Sequence, residues 1–171
     1  MSGLALEGLT TGYVLRPVTE ADLPALLALC RSNPQYYRHC PPPPSLEGLA
    51  RDLAALPPGK TAEDKYYLGY FDDARLIAAL DLITGYPSPD TAFIGFFMLD
   101  ASAQGCGLGS RLVSELFDGL AAQGFREVRL GWAKTNPQAR AFWLKQGMVP
   151  TGQSYAADGY TVVIASRSLT A

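Results

Sequence analysis

Apolar and polar positions alternate along parts of this chain and recur at helical spacing along others. Tyr13-Val-Leu-Arg16 reads as a short strand that Pro17 ends. Thr19 then suits a helix N-cap, with Asp22 three residues on and Leu23, Leu26, Leu27 and Cys30 at helical spacing. Asn33-Pro34 closes that helix, and Pro41 to Pro44 form a stiff extended stretch. Ser45 opens a second amphipathic helix through Leu46, Leu49, Leu53 and Leu56, which Pro57-Pro-Gly59 stops. Strands follow over Tyr66 to Phe71, Leu76 to Thr84 and Ala92 to Leu99, joined at Asp72-Asp73 and by the turn-rich Gly85 to Asp90. Short connections make these an antiparallel meander. A helix from Ser110 carries Leu112, Val113, Leu116, Phe117 and Leu120 on one face and ends at Gly124. Val128 to Trp132 is a strand, Asn136-Pro137 opens a helix that ends at Gly147, and Tyr160 to Ala165 is a final strand.

Composition narrows the class. A length of 171 residues, 48% of them hydrophobic, suits one domain with a sizeable core. A net charge of −2 with no Lys- or Arg-rich run argues against a nucleic-acid partner. No apolar stretch approaches the ~18 residues of a membrane span, and the N-terminus carries no signal-peptide pattern. Cys30, Cys40 and Cys106 are an odd, scattered set, as in a reduced, cytoplasmic protein. His39-Cys40 with Cys30 lack the paired spacing of a zinc site, so no metal is expected. His39 is the only histidine, so no Ser-His-Asp or Cys-His pair exists without it.

The most informative segment is Gln104-Gly-Cys-Gly-Leu-Gly109-Ser110, between a strand and a helix. Glycines let amide N–H groups approach a ligand, and a helix start adds free donors and partial positive charge. This is an anion site, most often for phosphate. A nucleotide P-loop needs a lysine after the last glycine, but Ser110-Arg111 stand there. A dinucleotide loop needs a third glycine where Ser110 lies, and it follows the first strand of a parallel unit rather than a meander.

Gln104-x-x-Gly107-x-Gly109 resembles the pyrophosphate loop of the GNAT superfamily of acyl-CoA N-acyltransferases. A second stretch, Asn136-Pro-Gln-Ala139 through Trp143 to Lys145-Gln-Gly147-Met148, is similar to that superfamily's Asn-x-x-Ala helix. The order of elements also matches over nearly the whole chain. The resemblance implies an α/β (α+β) fold over residues 1–171 as a single N-acetyltransferase domain. Its twisted sheet would be mixed and mostly antiparallel, with six to seven strands flanked by about four helices.

It also implies acetyl-CoA as co-substrate, its pyrophosphate on the loop from Gln104, Gly105, Cys106, Gly107, Leu108 and Gly109 to Ser110. The pantetheine arm would lie along Phe97, Met98 and Leu99, with the Leu99 N–H as oxyanion donor. Asn136 matches the residue that contacts the arm, and as Asn before Pro it is equally suited to be an N-cap. Cys106 sits at a helix start, where a thiol nucleophile could stand, but a small residue in a backbone-reading loop explains it better. Asp100 shapes the turn into the loop. Trp143 departs from the tyrosine that often serves as general acid. Indole N–H donates no usable proton, so Trp143 is assigned packing against the cofactor only. Tyr155 or Tyr160 are alternative hydroxyls, each also readable as an ordinary strand tyrosine. The strand Ala92 to Leu99 lacks the glutamate many relatives carry, which leaves Asp81 as candidate base or substrate-ammonium partner. The competing reading of Asp81 is a solvated face or a pairing with an arginine.

Tyr36 and Tyr37, with Tyr86 opposite, are the candidate acceptor walls, and at least one of the adjacent pair should anchor to the core. The expected reaction is acetyl transfer to a primary amine of a small molecule or peptide by direct attack. The alternative is a CoA-binding module without chemistry, serving as sensor or assembly subunit. The resemblance also allows a homodimer, to which no residue points.

Overall fold

The computed structural model describes residues 3–169. Met1 and Ser2, part of the terminus inspected for a leader, lie outside them. Seven strands form one sheet in the order β1-β2-β3-β4-β5-β7-β6. They are β1 (Val14–Pro17), β2 (Lys65–Asp72), β3 (Arg75–Thr84), β4 (Thr91–Leu99), β5 (Glu127–Ala133), β6 (Val149–Ala157) and β7 (Tyr160–Ser168). Only β4 and β5 pair in parallel among the described strands. Five α-helices accompany them: α1 (Leu23–Arg31), α2 (Pro34–His39), α3 (Leu46–Ala54), α4 (Leu108–Ala122) and α5 (Pro137–Lys145).

Alternation along the strands builds two cores, one on each face of the sheet. Leu68, Leu80, Leu82, Ile94 and Leu130 meet Leu112, Leu116 and Leu120 of α4, with Trp143 of α5 in the same cluster. Tyr67, Ala79 and Met98 face the other way, against Leu26, Leu29 and Cys30 of α1 and Leu49 of α3. The caps read from sequence are present: Thr19 and Asp22 form a capping box, and the Ser45 hydroxyl accepts from the Gly48 N–H at 3.0 Å.

Three elements differ from the sequence reading. The tyrosine segment after Asn33 is helical, because Pro34 occupies a first-turn position where its missing N–H costs nothing. Helix α4 begins at Leu108, two residues before Ser110, so its first turn lies inside the glycine loop. Strand β6 carries no apolar alternation because it is an edge strand, exposed over most of its length and interrupted by Pro150 and Gly152.

Candidate functional site

The site begins with a split in the sheet. Parallel pairing of β4 with β5 runs from Thr91–Glu127 to Ile94–Leu130 and stops. One residue further, the β3–β4 register shifts by one, between Asp81 and Leu82, which leaves Gly95 as a bulge. A bulge bends its strand and sharpens the twist, so β4 leaves β5 here. The Asp100 N–H donates to Ile77 O at 2.8 Å, in the same register as the Ala78–Leu99 and Ala79–Met98 pairs. Antiparallel partners alternate, so Met98 bonds into the ladder while Phe97 and Leu99 point their backbone groups away from β3, into the split. Of the three residues expected along the cofactor arm, Met98 therefore contributes only its side chain.

The split opens into a cleft of about 810 Å³, lined by Phe97 to Leu99, Gly105, Gly107 to Ser110, Asn136 and Trp143 among others. It continues inward as a cavity of about 120 Å³ that shares Tyr36, Phe97, Asn136, Ala139 and Trp143 with it. Gly105 and Gly107 have φ of 85° and 82°, values that side-chain-bearing residues adopt at a cost. No N–H from Gly105 to Ser110 donates to another group among the described residues. The Arg111 N–H is the first to close a turn of α4, on Gly107 O at 3.1 Å. Unused donors and the positive end of a fifteen-residue helix thus face the cleft together.

The flanking side chains fix this loop. Gln104 Nε2 donates to Asn33 Oδ1 at 2.6 Å and Leu99 O at 3.0 Å. Asn33 Nδ2 donates to the same Leu99 O at 2.9 Å and to Leu29 O at 3.1 Å. Gln104 thereby braces the end of β4 against the C-terminus of α1. Asn33, legible in sequence only as a helix terminator, is the centre of that brace. The Ser110 hydroxyl accepts from Gln146 Nε2 at 2.9 Å, and Asp100 accepts from the Ser102 N–H at 3.0 Å. Arg111 turns away, bonded to Thr11 O at 2.6 Å and paired with Glu115. Cys106 is exposed and stands outside the cleft wall, its thiol 3.4 Å from Ala103 O. Lys145, which also lines the cleft, is an exposed ammonium with no ion pair among those described.

Asn136 caps α5, its Oδ1 accepting from the Ala139 N–H at 3.1 Å, and it lines both cavities. Trp143 is buried in an aromatic cluster, its ring centroid 4.9 Å from Phe142 and 6.0 Å from Phe97. Across the cleft, His39 Nδ1 lies 2.8 Å from Thr135 Oγ1 and ties α2 to the β5–α5 turn.

Asp81 faces the α1–α3 side of the sheet. Its Oδ2 meets Lys65 Nζ at 2.9 Å, and both side chains are largely buried, at 16% and 6% exposure. Its Oδ1 is buried without a partner. Burial raises the Asp81 pKa above the usual carboxylate value, against the opposing pull of Lys65. Asp81 lines neither cavity but lies against Gly95, which does, with Oδ2 3.0 Å from where a Cβ on Gly95 would stand. An ion pair is present, but its partner is Lys65 and not the arginine of the competing reading, because strand β2 sets Lys65 beside the Asp81 carboxylate.

The tyrosines separate. Tyr36 lines both cavities, its ring edge-on to Phe96 at 5.7 Å. Tyr37 turns its hydroxyl toward Cys30 and packs with the α1 core, the anchor expected of one member of the pair. Tyr86 packs edge-on against Phe93 at 5.5 Å, next to the inner cavity. Tyr155 and Tyr160 line that cavity too. Among the described residues, no group of three or more His, Cys, Asp or Glu side chains is placed to hold a metal. No helix among them is long and apolar enough to cross a membrane.

The sequence model of the Acetyltransferase (GNAT) family matches residues 29–148. An acetyltransferase from Thermus thermophilus is similar in structure, with TM-score 0.71 and 26% identity over 94% of this chain and 99% of that one. The ribosomal-protein-S18-alanine N-acetyltransferase of Escherichia coli shares the fold at TM-score 0.65 and 18% identity, over 93% of this chain and 95% of that one. The PaiA N-acetyltransferase of Thermoplasma acidophilum, solved in complex with coenzyme A, shares it at TM-score 0.62 and 20% identity, over 92% and 99%. No curated protein matches the sequence.

Proposed function

The chain belongs to the GNAT family of acetyltransferases, and from that premise we propose that it moves the acetyl group of acetyl-CoA to a primary amine of a small molecule or peptide by direct attack. The observation that carries this is the continuity of one cleft. Unused N–H groups from Gly105 to Ser110 stand at one end, and the backbone of Phe97 and the N–H of Leu99, turned away from β3, border the split at the other.

In this mechanism the loop N–H groups hold the pyrophosphate, with Lys145 as a further cation. Phe97 and Leu99 pair with the pantetheine arm as an added strand, and the side chains of Asn136 and Trp143 border it. The Leu99 N–H donates to the thioester oxygen as negative charge grows there. The strand end that carries it is fixed before reaction, with Met98 in the β3 ladder on one side and the Leu99 carbonyl held by Asn33 and Gln104 on the other. The amine enters from the side of Tyr36, with Tyr86 at the rim and Tyr37 as the anchor behind them. Asp81 takes the amine's proton or pairs with its ammonium, reached past Gly95 through a water. Its raised pKa makes it a better base than an ordinary carboxylate. A CoA-binding module without chemistry is the competing assignment, favoured by Trp143 and by the Lys65 contact on Asp81.

Thiol release from acetyl-CoA across a library of amines and peptide N-termini decides between them. Turnover with any acceptor supports transfer. Tight CoA binding with no turnover across the library supports the module. Absence of thermal stabilisation by millimolar CoA would overturn both.

A further inference from the structure

Trp143 leaves the departing sulfur without a hydroxyl from α5, while the opposite wall of the split carries hydroxyls. Tyr36 and Trp143 both line the large cleft and the inner cavity, so they border the same junction. They reach it from opposite faces of the sheet, Tyr36 from the α1–α3 core and Trp143 from the α4 core. The Tyr36 ring is held edge-on by Phe96 at 5.7 Å and Tyr37 at 4.9 Å. Its hydroxyl lies beside the Cys40 thiol, and that thiol lies beside the Tyr160 hydroxyl. Cys40 and Tyr160 line the inner cavity, and Tyr160 is partly open to solvent. The other hydroxyls are worse placed. Tyr37 points to Cys30, and Tyr155 is 52% exposed.

We propose that the Tyr36 hydroxyl protonates the departing thiolate, and that Cys40 and Tyr160 form the line that returns its proton from solvent. The proposal rests on the acetyl-transfer assignment above. The amine nitrogen bonds to the acetyl carbon, the C–S bond breaks, and its electron pair stays on sulfur. Sulfur then takes the Tyr36 proton. The nitrogen gives up one proton to Asp81 or water, and the phenolate recovers one along the Cys40–Tyr160 line, so the net products are the amide and the free thiol. Burial keeps the Tyr36 phenol protonated well above its ordinary range. Burial disfavours a thiolate as well as a phenolate, so a sulfur desolvated in the split shifts in the same direction as Tyr36.

The test compares Tyr36→Phe with the unmodified protein on two donors, acetyl-CoA and an S-acetyl aryl thiol whose thiolate leaves without help. With acetyl-CoA, kcat falls about 100-fold or more while the Kd for CoA stays within about twofold. With the aryl donor the loss nearly disappears. An equal loss on both donors, or no loss on acetyl-CoA, overturns the proposal. Should the variant not fold, a series of aryl thioesters on the unmodified protein carries the same test. Rates nearly independent of thiol pKa support a proton donor, and a steep dependence overturns it. If the unmodified protein releases no thiol with any amine, the acetyl-transfer assignment falls and this proposal with it. If it turns over and Tyr36→Phe changes nothing, only the role of Tyr36 falls.

Discussion

Asp81 serves the core through its ion pair and, under the proposed function, the chemistry as well. Its carboxylate neutralises Lys65, which is only 6% exposed, so removing it leaves a buried ammonium unpaired. Asp81→Asn should cost stability, about 3 kcal/mol in a chemical melt, on the scale of a broken buried pair. If Asp81 is also the base, the variant loses the acidic limb of the kcat/KM profile. That limb lies above the ordinary carboxylate range, because burial raises the Asp81 pKa. An unchanged pH profile in a folded variant would reduce Asp81 to a structural role. Gly107 makes the opposite point: under the proposed function it acts through its backbone alone. A Cβ there meets nothing within 4 Å, yet φ is 82°. Gly107→Ala should therefore cost about 1–2 kcal/mol of strain. It should also weaken CoA binding measured by calorimetry, because relief of the strain rotates the loop N–H groups.

At the scale of elements, the site depends on joints between helix and strand ends. The Asn33–Gln104–Leu99 brace ties α1, β4 and the glycine loop through three short contacts. Asn33→Ala should lower stability by about 1–3 kcal/mol and weaken CoA binding. Thermal melts with and without CoA separate the two effects, since a purely structural brace leaves the ligand-induced shift unchanged. The joint between β1 and α1 carries a pH signature. Arg16 Nη1 holds Asp22 Oδ2 at 2.8 Å, and that hydrogen bond, with Thr19, keeps the Asp22 pKa down to about 2. A depressed carboxylate contributes stability above its unfolded pKa, near 3.9, and loses it as pH falls through the folded value. Asp22→Asn should therefore melt below the unmodified protein at pH 7. The difference should shrink between roughly pH 4 and pH 2, and a gap independent of pH would contradict the assignment.

Across the whole molecule, the sheet does two jobs with one irregularity. Continuous from β1 to β6, it separates two cores. Opened at Gly95, it makes a passage between its faces, lined by α4 and α5 residues on one side and α2 residues on the other. CoA binding in that passage should raise the melting temperature in step with ligand concentration. Lys145→Ala should reduce that shift most at low salt, where an exposed ammonium near phosphate is least screened. Equal shifts for variant and parent at low salt would remove Lys145 from the site. Local sequence already determined most of the elements, their caps and the loop class. Apolar spacing, Asn-Pro and Gly-x-Gly act within a few residues, so β3, β4, α4 and the cap at Asn136 were all readable. The family was legible too, from two motifs about thirty residues apart. Only the tertiary structure decided which groups meet. The pairing of Asp81 with Lys65, the brace at Asn33 and the placing of Tyr36 and Trp143 on one cleft span 16, 66 and more than 100 positions respectively. Those partners are set by strand register and by the bulge at Gly95, neither of which leaves a periodic trace in the chain.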